Sequence, residues 1–183
     1  MPESEICQKI CASSDSTVAV EAFQTGLMSK RKVILFFENF SGELFHLPDS
    51  PQSLRLELKV DATSVACHER SLSAGKQRNI VKYARDVLAA NKYPEVVFRS
   101  TQVSEKPLRG FVMQGELTIR GVTRAARANL GLSPLKNDRL QIDADANICL
   151  RDFGIEPPSW LFGLRRVKDE AMVHLLLWAT IPH

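Results

Sequence analysis

"GELTIRGVTRAARANL", residues 115 to 130, decides the fold. Its first half alternates, with Gly115, Leu117 and Ile119 on one side and Glu116 and Thr118 on the other. That two-residue period belongs to a strand with one face in water. Gly121 interrupts the run as a tight turn, and a second strand follows. Working outward, the same alternation returns. In "SLRLELKVDA", Leu54, Leu56, Leu58 and Val60 oppose Arg55, Glu57, Lys59 and Asp61. In "FVMQGELTI", Phe111 and Met113 extend the apolar row of the opening stretch. In "LQIDADANICL", Leu140, Ile142, Ala144, Ala146, Ile148 and Leu150 oppose Asp143, Asp145 and Asn147. A strand that is polar on one side sets its other side against a core or a cavity.

Counting such runs predicts eight strands, near 16–24, 31–39, 53–62, 95–103, 109–120, 123–132, 139–150 and 170–181. Turn residues separate most of them: Pro48 and Pro51, Pro107, Gly121, and Pro134 with Asn137-Asp138. One segment changes period. Ile80, Tyr83, Ala84, Val87 and Leu88 fall at helical spacing, which predicts an amphipathic helix over about 79–90 with Asn79 as its N-cap. Residues 1–14 read as a polar tail and 15–183 as a single domain. The fold class is all-β. Eight antiparallel strands with one α-helix suit a closed β-barrel, because closure removes sheet edges.

The chain has 183 residues, 44% of them hydrophobic and 25% charged, with a net charge of +3. So small a charge argues against a nucleic-acid partner. The densest basic spots are Lys30-Arg31-Lys32 and Arg165-Arg166. They read as solvated loop charges, or as a site of transient docking on an anionic membrane. No run reaches the ~20 apolar residues of a membrane span. The first sixteen residues hold no apolar core that an export machinery would read, so the expected location is cytoplasmic, with Cys7, Cys11, Cys67 and Cys149 reduced.

Three phrases carry a resemblance. Tyr93-Pro94 leads into a strand with Phe98 and Ser100; Leu117 to Thr123 form a Leu-Thr-Ile-x-Gly-Val-Thr hairpin; and Arg151-Asp152-Phe153-Gly154 follow. In that order they resemble the YceI-like family, over almost the whole chain. The resemblance implies a lipocalin-like barrel around an apolar lipid of isoprenoid type, quinone-like or polyprenyl, and no catalytic cofactor. Many relatives of this pattern are periplasmic, and the start of this chain departs from them.

The residues expected to line the lumen are Leu54, Leu56, Leu58, Phe98, Phe111, Met113, Leu117, Ala126, Ala128, Ala144, Ala146 and Ile148. The small ones among them, with Gly115, either leave room for a chain-like ligand or form a taper packed by their larger neighbours. Arg151, Asp152, Phe153, Trp160 and Phe162 form the expected rim or gate. Arg151 and Asp152 either orient a head group or pair with each other to close a loop. The Trp160 to Phe162 cluster is either an exposed patch or a plug. His174 stands in a strand with two apolar faces and reads as a hydrogen-bonded core residue, covered on its outside by the helix. No metal-ligand spacing, nucleophile elbow or phosphate loop occurs. The leading reading is a non-enzymatic lipid carrier, used for transport, storage or presentation. A filled barrel acting through its surface, as an interaction or stress-response module, stays open, as does an enzyme on a hydrophobic substrate. Oligomeric state is not readable.

Overall fold

Each predicted alternating run forms a strand. A computed structural model describes residues 5–13, 15–26, 30–47, 50–106, 110–134, 139–157, 159–160 and 165–180. In chain order the strands are β1 (Ile6–Cys11), β2 (Thr17–Gly26), β3 (Lys30–Phe37), β4 (Phe40–Leu47), β5 (Ser50–Asp61), β6 (Val65–Ala66), β7 (Glu95–Glu105), β8 (Phe111–Ile119), β9 (Val122–Pro134), β10 (Leu140–Cys149), β11 (Ser159–Trp160) and β12 (Arg165–Thr180). One helix, α1 (Ala74–Leu88), falls between β6 and β7, and a 3-10 turn, Leu150–Phe153, follows β10.

Antiparallel pairing runs β1–β4–β5–β7–β8–β9–β10–β12 and returns to β1, so eight strands close a ring. Strand β12 makes the closure. Its far end pairs with β1, Lys9 opposite Thr180 and Ile10 opposite Ala179, while its first part pairs with β2 from Arg165–Gly26 to Leu176–Thr17. Thus β1 and β2 lie in line along one edge of β12. Beside them β3 pairs with β2 and β4 with β1, so that wall consists of broken long strands.

Three boundaries differ from the sequence reading. Residues 6–11, assigned to a polar tail, are barrel wall: β1 pairs with β4 from Ile6–His46 to Cys11–Ser41, and Ile10 has no exposed surface. The expected strand at 31–39 ends at Phe37, and β4 is an additional strand. The helix starts at Ala74 behind Ser73, not at Asn79, because its first turns, Gly75 to Arg78, are polar and carry no apolar period.

Side chains meet across the lumen at the end formed by β1, β4 and the last residues of β12. Ile10, Leu44, Ile142 and Leu177 are completely buried there, with Leu54, Val103 and Leu130 packed among them. At the other end a second cluster joins Leu117, Ile119, Phe153 and Ile155 to Val87 and Val96.

Candidate ligand-binding cavity

Two glycines explain the hairpin phrases. At the β8–β9 turn both Arg120 (φ 54°) and Gly121 (φ 75°) are left-handed, the geometry of a two-residue turn that matches strand twist. A Cβ on Gly121 would stand 2.9 Å from the Tyr93 ring, so the tyrosine packs flat over the turn. Pro94 then accepts a hydrogen bond from the Ala62 N–H at 2.7 Å, tying the start of β7 to the end of β5. At Gly115 a Cβ would collide with the Arg99 carbonyl and lie 2.6 Å from the Phe98 ring. The ring therefore fills the space above Gly115, and that glycine adds no free volume to the lumen. The β7–β8 register shifts between Ser100 and Gln102, and Ser100 Oγ accepts the Leu56 N–H at 2.7 Å, replacing a bond of the ladder.

Inside the barrel lies a cavity of about 910 Å³. Leu56, Leu58, Phe98, Met113 and Leu117 form one part of its wall, and Ala126, Ala128, Ala144, Ala146 and Ile148 another. Leu54 and Phe111, expected in the lumen, do not line it. Both belong to the packed end, where the barrel is already filled. Residues that the alternation did not single out complete the wall. They are Val20, Val33 and Leu35 on β2 and β3, with Ala171, Val173 and Leu175 on β12. Helix α1 roofs the cavity with Ile80, Tyr83, Ala84, Val87 and Leu88, the apolar stripe that had predicted the helix. The far edge of β3 pairs with another strand only at Phe36 and Phe37, among the described residues. Along the rest of β3, Val33 and Leu35 border the same cavity as α1.

Polar groups also line the cavity. Glu69, Ser71, Lys76 and Asn79 come from α1 and the segment before it, and Lys32 from β3; Arg127 also lines the cavity, from β9. The expected lumen was more uniformly apolar than this. Glu69 accepts the Ser71 N–H at 3.1 Å, which holds its carboxyl below the usual carboxylate range. Burial pushes the Tyr83 hydroxyl up. Lys32 pairs with Glu21 at 3.3 Å.

The expected rim resolves differently. Phe153 is a buried residue of the second cluster, because the 3-10 turn, capped by Gly154, folds it and Ile155 into the barrel end. Asp152 is exposed and is not the partner of Arg151. Asp169 is: its carboxylate accepts the Arg151 N–H at 3.0 Å and lies 3.6 Å from Nε, and it also accepts from the Cys149 thiol at 3.4 Å. Of Trp160 only the backbone is described, paired to Arg165, and Phe162 lies outside the described residues. His174 is not a core residue. Its side chain is 40% exposed on the outer face of β12, with Nδ1 2.6 Å from Asp145 and Nε2 3.9 Å from Glu21. The helix lies over the lumen and does not cover it. Among the described residues no group of His, Cys, Asp and Glu could hold a metal ion, and no helix is long and apolar enough to cross a membrane.

Comparison with known proteins places this geometry. A family model described as a YceI-like domain matches residues 11–178. A UPF0312 protein of Shewanella baltica is 26% identical over 139 residues, covering 73% of this chain and 70% of that protein. A UPF0312 protein of Yersinia enterocolitica is 27% identical over 124 residues, covering 65% and 61%. Among solved structures, Burkholderia cenocepacia BcnA superposes with a TM-score of 0.73 at 17% identity, covering 90% of this chain and 96% of its own. A polyisoprenoid binding domain from Saccharophagus degradans gives 0.66 at 14% identity, covering 95% and 98%.

Proposed function

The chain belongs to the family of YceI-like domains, and from that premise and its cavity we propose that it carries one long apolar lipid, isoprenoid or acyl, inside the barrel. The observation that carries the reading is the cavity of about 910 Å³, walled by aliphatic and small side chains. Burying an alkyl chain there contributes roughly 0.8 kcal/mol per CH₂ before ordering costs. At roughly 30 Å³ per non-hydrogen group, the share of volume a water takes in the liquid, the cavity holds about 30 such atoms, or about six five-carbon units. A longer chain leaves its remainder outside. The polar residues at 69–79 suit the head of the lipid, with its tail toward Met113 and Ala144. The role is non-catalytic: storage, transport or presentation, with α1 as the roof through which the lipid passes. A lumen holding this much open volume disfavours the filled-barrel alternative. We further propose a reducing compartment as the site of action, with all four cysteines as free thiols, which a thiol count on the denatured protein tests. Cys7 and Cys11 sit four residues apart on one strand, about 13 Å at strand rise, beyond disulfide reach, and Cys67 is buried.

The test is solvent extraction and mass spectrometry of the purified protein, followed by titration of the delipidated barrel with polyprenols of increasing length. We expect a co-purifying apolar lipid, and an affinity that rises with length and levels near about six units. Absence of binding at every length overturns the reading.

A further inference from the structure

We propose that the corner where β2, β3 and β12 meet is a docking surface for an anionic lipid bilayer. Two basic runs far apart in sequence, Lys30-Arg31-Lys32 and Arg165-Arg166, are brought together there by strand register. Arg165 and Arg166 pair with Gly26 and Thr25 of β2, and Thr25 and Gln24 pair in turn with Lys30 and Arg31 of β3. Lys168 follows on β12, its ammonium 5.6 Å from the centre of the Phe23 ring. Residues 22–26, 30–33 and 165–168 together contain six basic residues and no acidic one. Of the acids bordering this corner, Glu21 pairs with Lys32, and Asp169 with Arg151 and Cys149, while Glu170 is exposed.

The rest of the molecule makes the patch directional. The chain as a whole carries only +3, so outside this corner its formal charge is net negative. An anionic bilayer therefore attracts one corner and repels the remainder, which fixes orientation as well as contact. Phe23, Lys32 and Val167 of the same corner also line the cavity. Docking in this pose sets the cavity against the membrane from which an apolar lipid would enter. The charge argument stands without the lipid-carrier reading, and vesicle binding is measured separately from cavity occupancy, so either can fail alone.

Flotation with two kinds of vesicle tests it: phosphatidylcholine alone, and phosphatidylcholine with phosphatidylglycerol. We expect binding to the anionic vesicles only, lost when salt shortens the screening length from about 10 Å toward about 3 Å. The double substitution Arg31→Gln with Arg165→Gln should weaken that binding roughly 30-fold, the equivalent of about 1 kcal/mol per basic residue. Lys9→Gln with Lys106→Gln makes the same change in net charge at the other end of the barrel and should leave binding within about twofold. Both variants are checked for an unchanged thermal midpoint; where the first is destabilised, Lys30→Gln with Arg166→Gln replaces it. Equal binding to neutral vesicles, or equal losses in the two double variants, overturns the proposal. So does release from anionic vesicles by duplex DNA at matched charge, which would assign the corner to nucleic acid.

Discussion

At one end of the barrel Ile10, Leu44, Ile142 and Leu177 meet across the lumen with no exposed surface; toward the other, Ala126, Ala128, Ala146 and Ala171 border open volume. Both ends use the same alternation and the same eight-strand ring. The difference is side-chain volume. An eight-stranded barrel is just wide enough to be filled by large residues, and substituting alanines in its inward rows leaves a lumen. One end is therefore filled by large side chains, while the volume between it and the second cluster of Leu117, Ile119, Phe153 and Ile155 stays open.

The largest expected effect sharpens this contrast. Leu44→Ala, in the packed end, should cost about 2–5 kcal/mol in denaturant unfolding, since it creates a new void. Val173→Ala, at the cavity wall, should cost no more than about 1 kcal/mol, because the atoms removed already face open space. Equal costs would mean that the two ends are packed alike. Next, Ala146→Phe should lower lipid affinity at least about tenfold, or about 1.4 kcal/mol, with the fold retained. Destabilisation by about 1–3 kcal/mol with no lipid bound in the parent would instead signal overpacking of a filled lumen.

The smallest effect concerns the roof. Burial disfavours the ionised form of Tyr83, so its titration in the folded protein lies above the ordinary value of 10.0. Its contribution to stability is therefore complete below that ordinary value and is lost as pH rises through the raised one. The tyrosinate absorbance of the parent minus that of Tyr83→Phe isolates this residue, and bound lipid should move its midpoint higher still. A midpoint at or below 10.0 would take the ring out of the cavity wall.

How much of this was readable beforehand depends on which way polar residues face. Strands β5, β8 and β10 were legible because their inward rows from Leu54 to Val60, Phe111 to Ile119 and Leu140 to Ile148 hold no polar side chain. β1 was not, since its inward row is Ile6, Gln8 and Ile10, and the buried glutamine breaks the period. β4 was hidden likewise, by Gly42 between Phe40 and Leu44 and by His46 beyond them. Ten of the twelve expected lumen residues border the cavity. Leu54 and Phe111 do not, because alternation gives the face of a strand and not the depth at which the barrel stops being hollow. The contributions of Lys76 and Glu69 could not be read, since they depend on where α1 comes to rest. The meeting of the two basic runs depends on register between strands far apart in the chain.

The closure of the ring bears on the order in which this protein can be made. Strand β12 alone joins β10 to both β1 and β2, so the earliest strands wait for one of the latest to find an edge partner. A ribosome delivering the chain from its N-terminus exposes the lumen-facing rows of seven ring strands before β12 emerges. Contacts that span so much of the sequence make folding slow. During that interval the half-built barrel is an open apolar trough. It is the state of this molecule most prone to aggregate, and the one most accessible to a lipid.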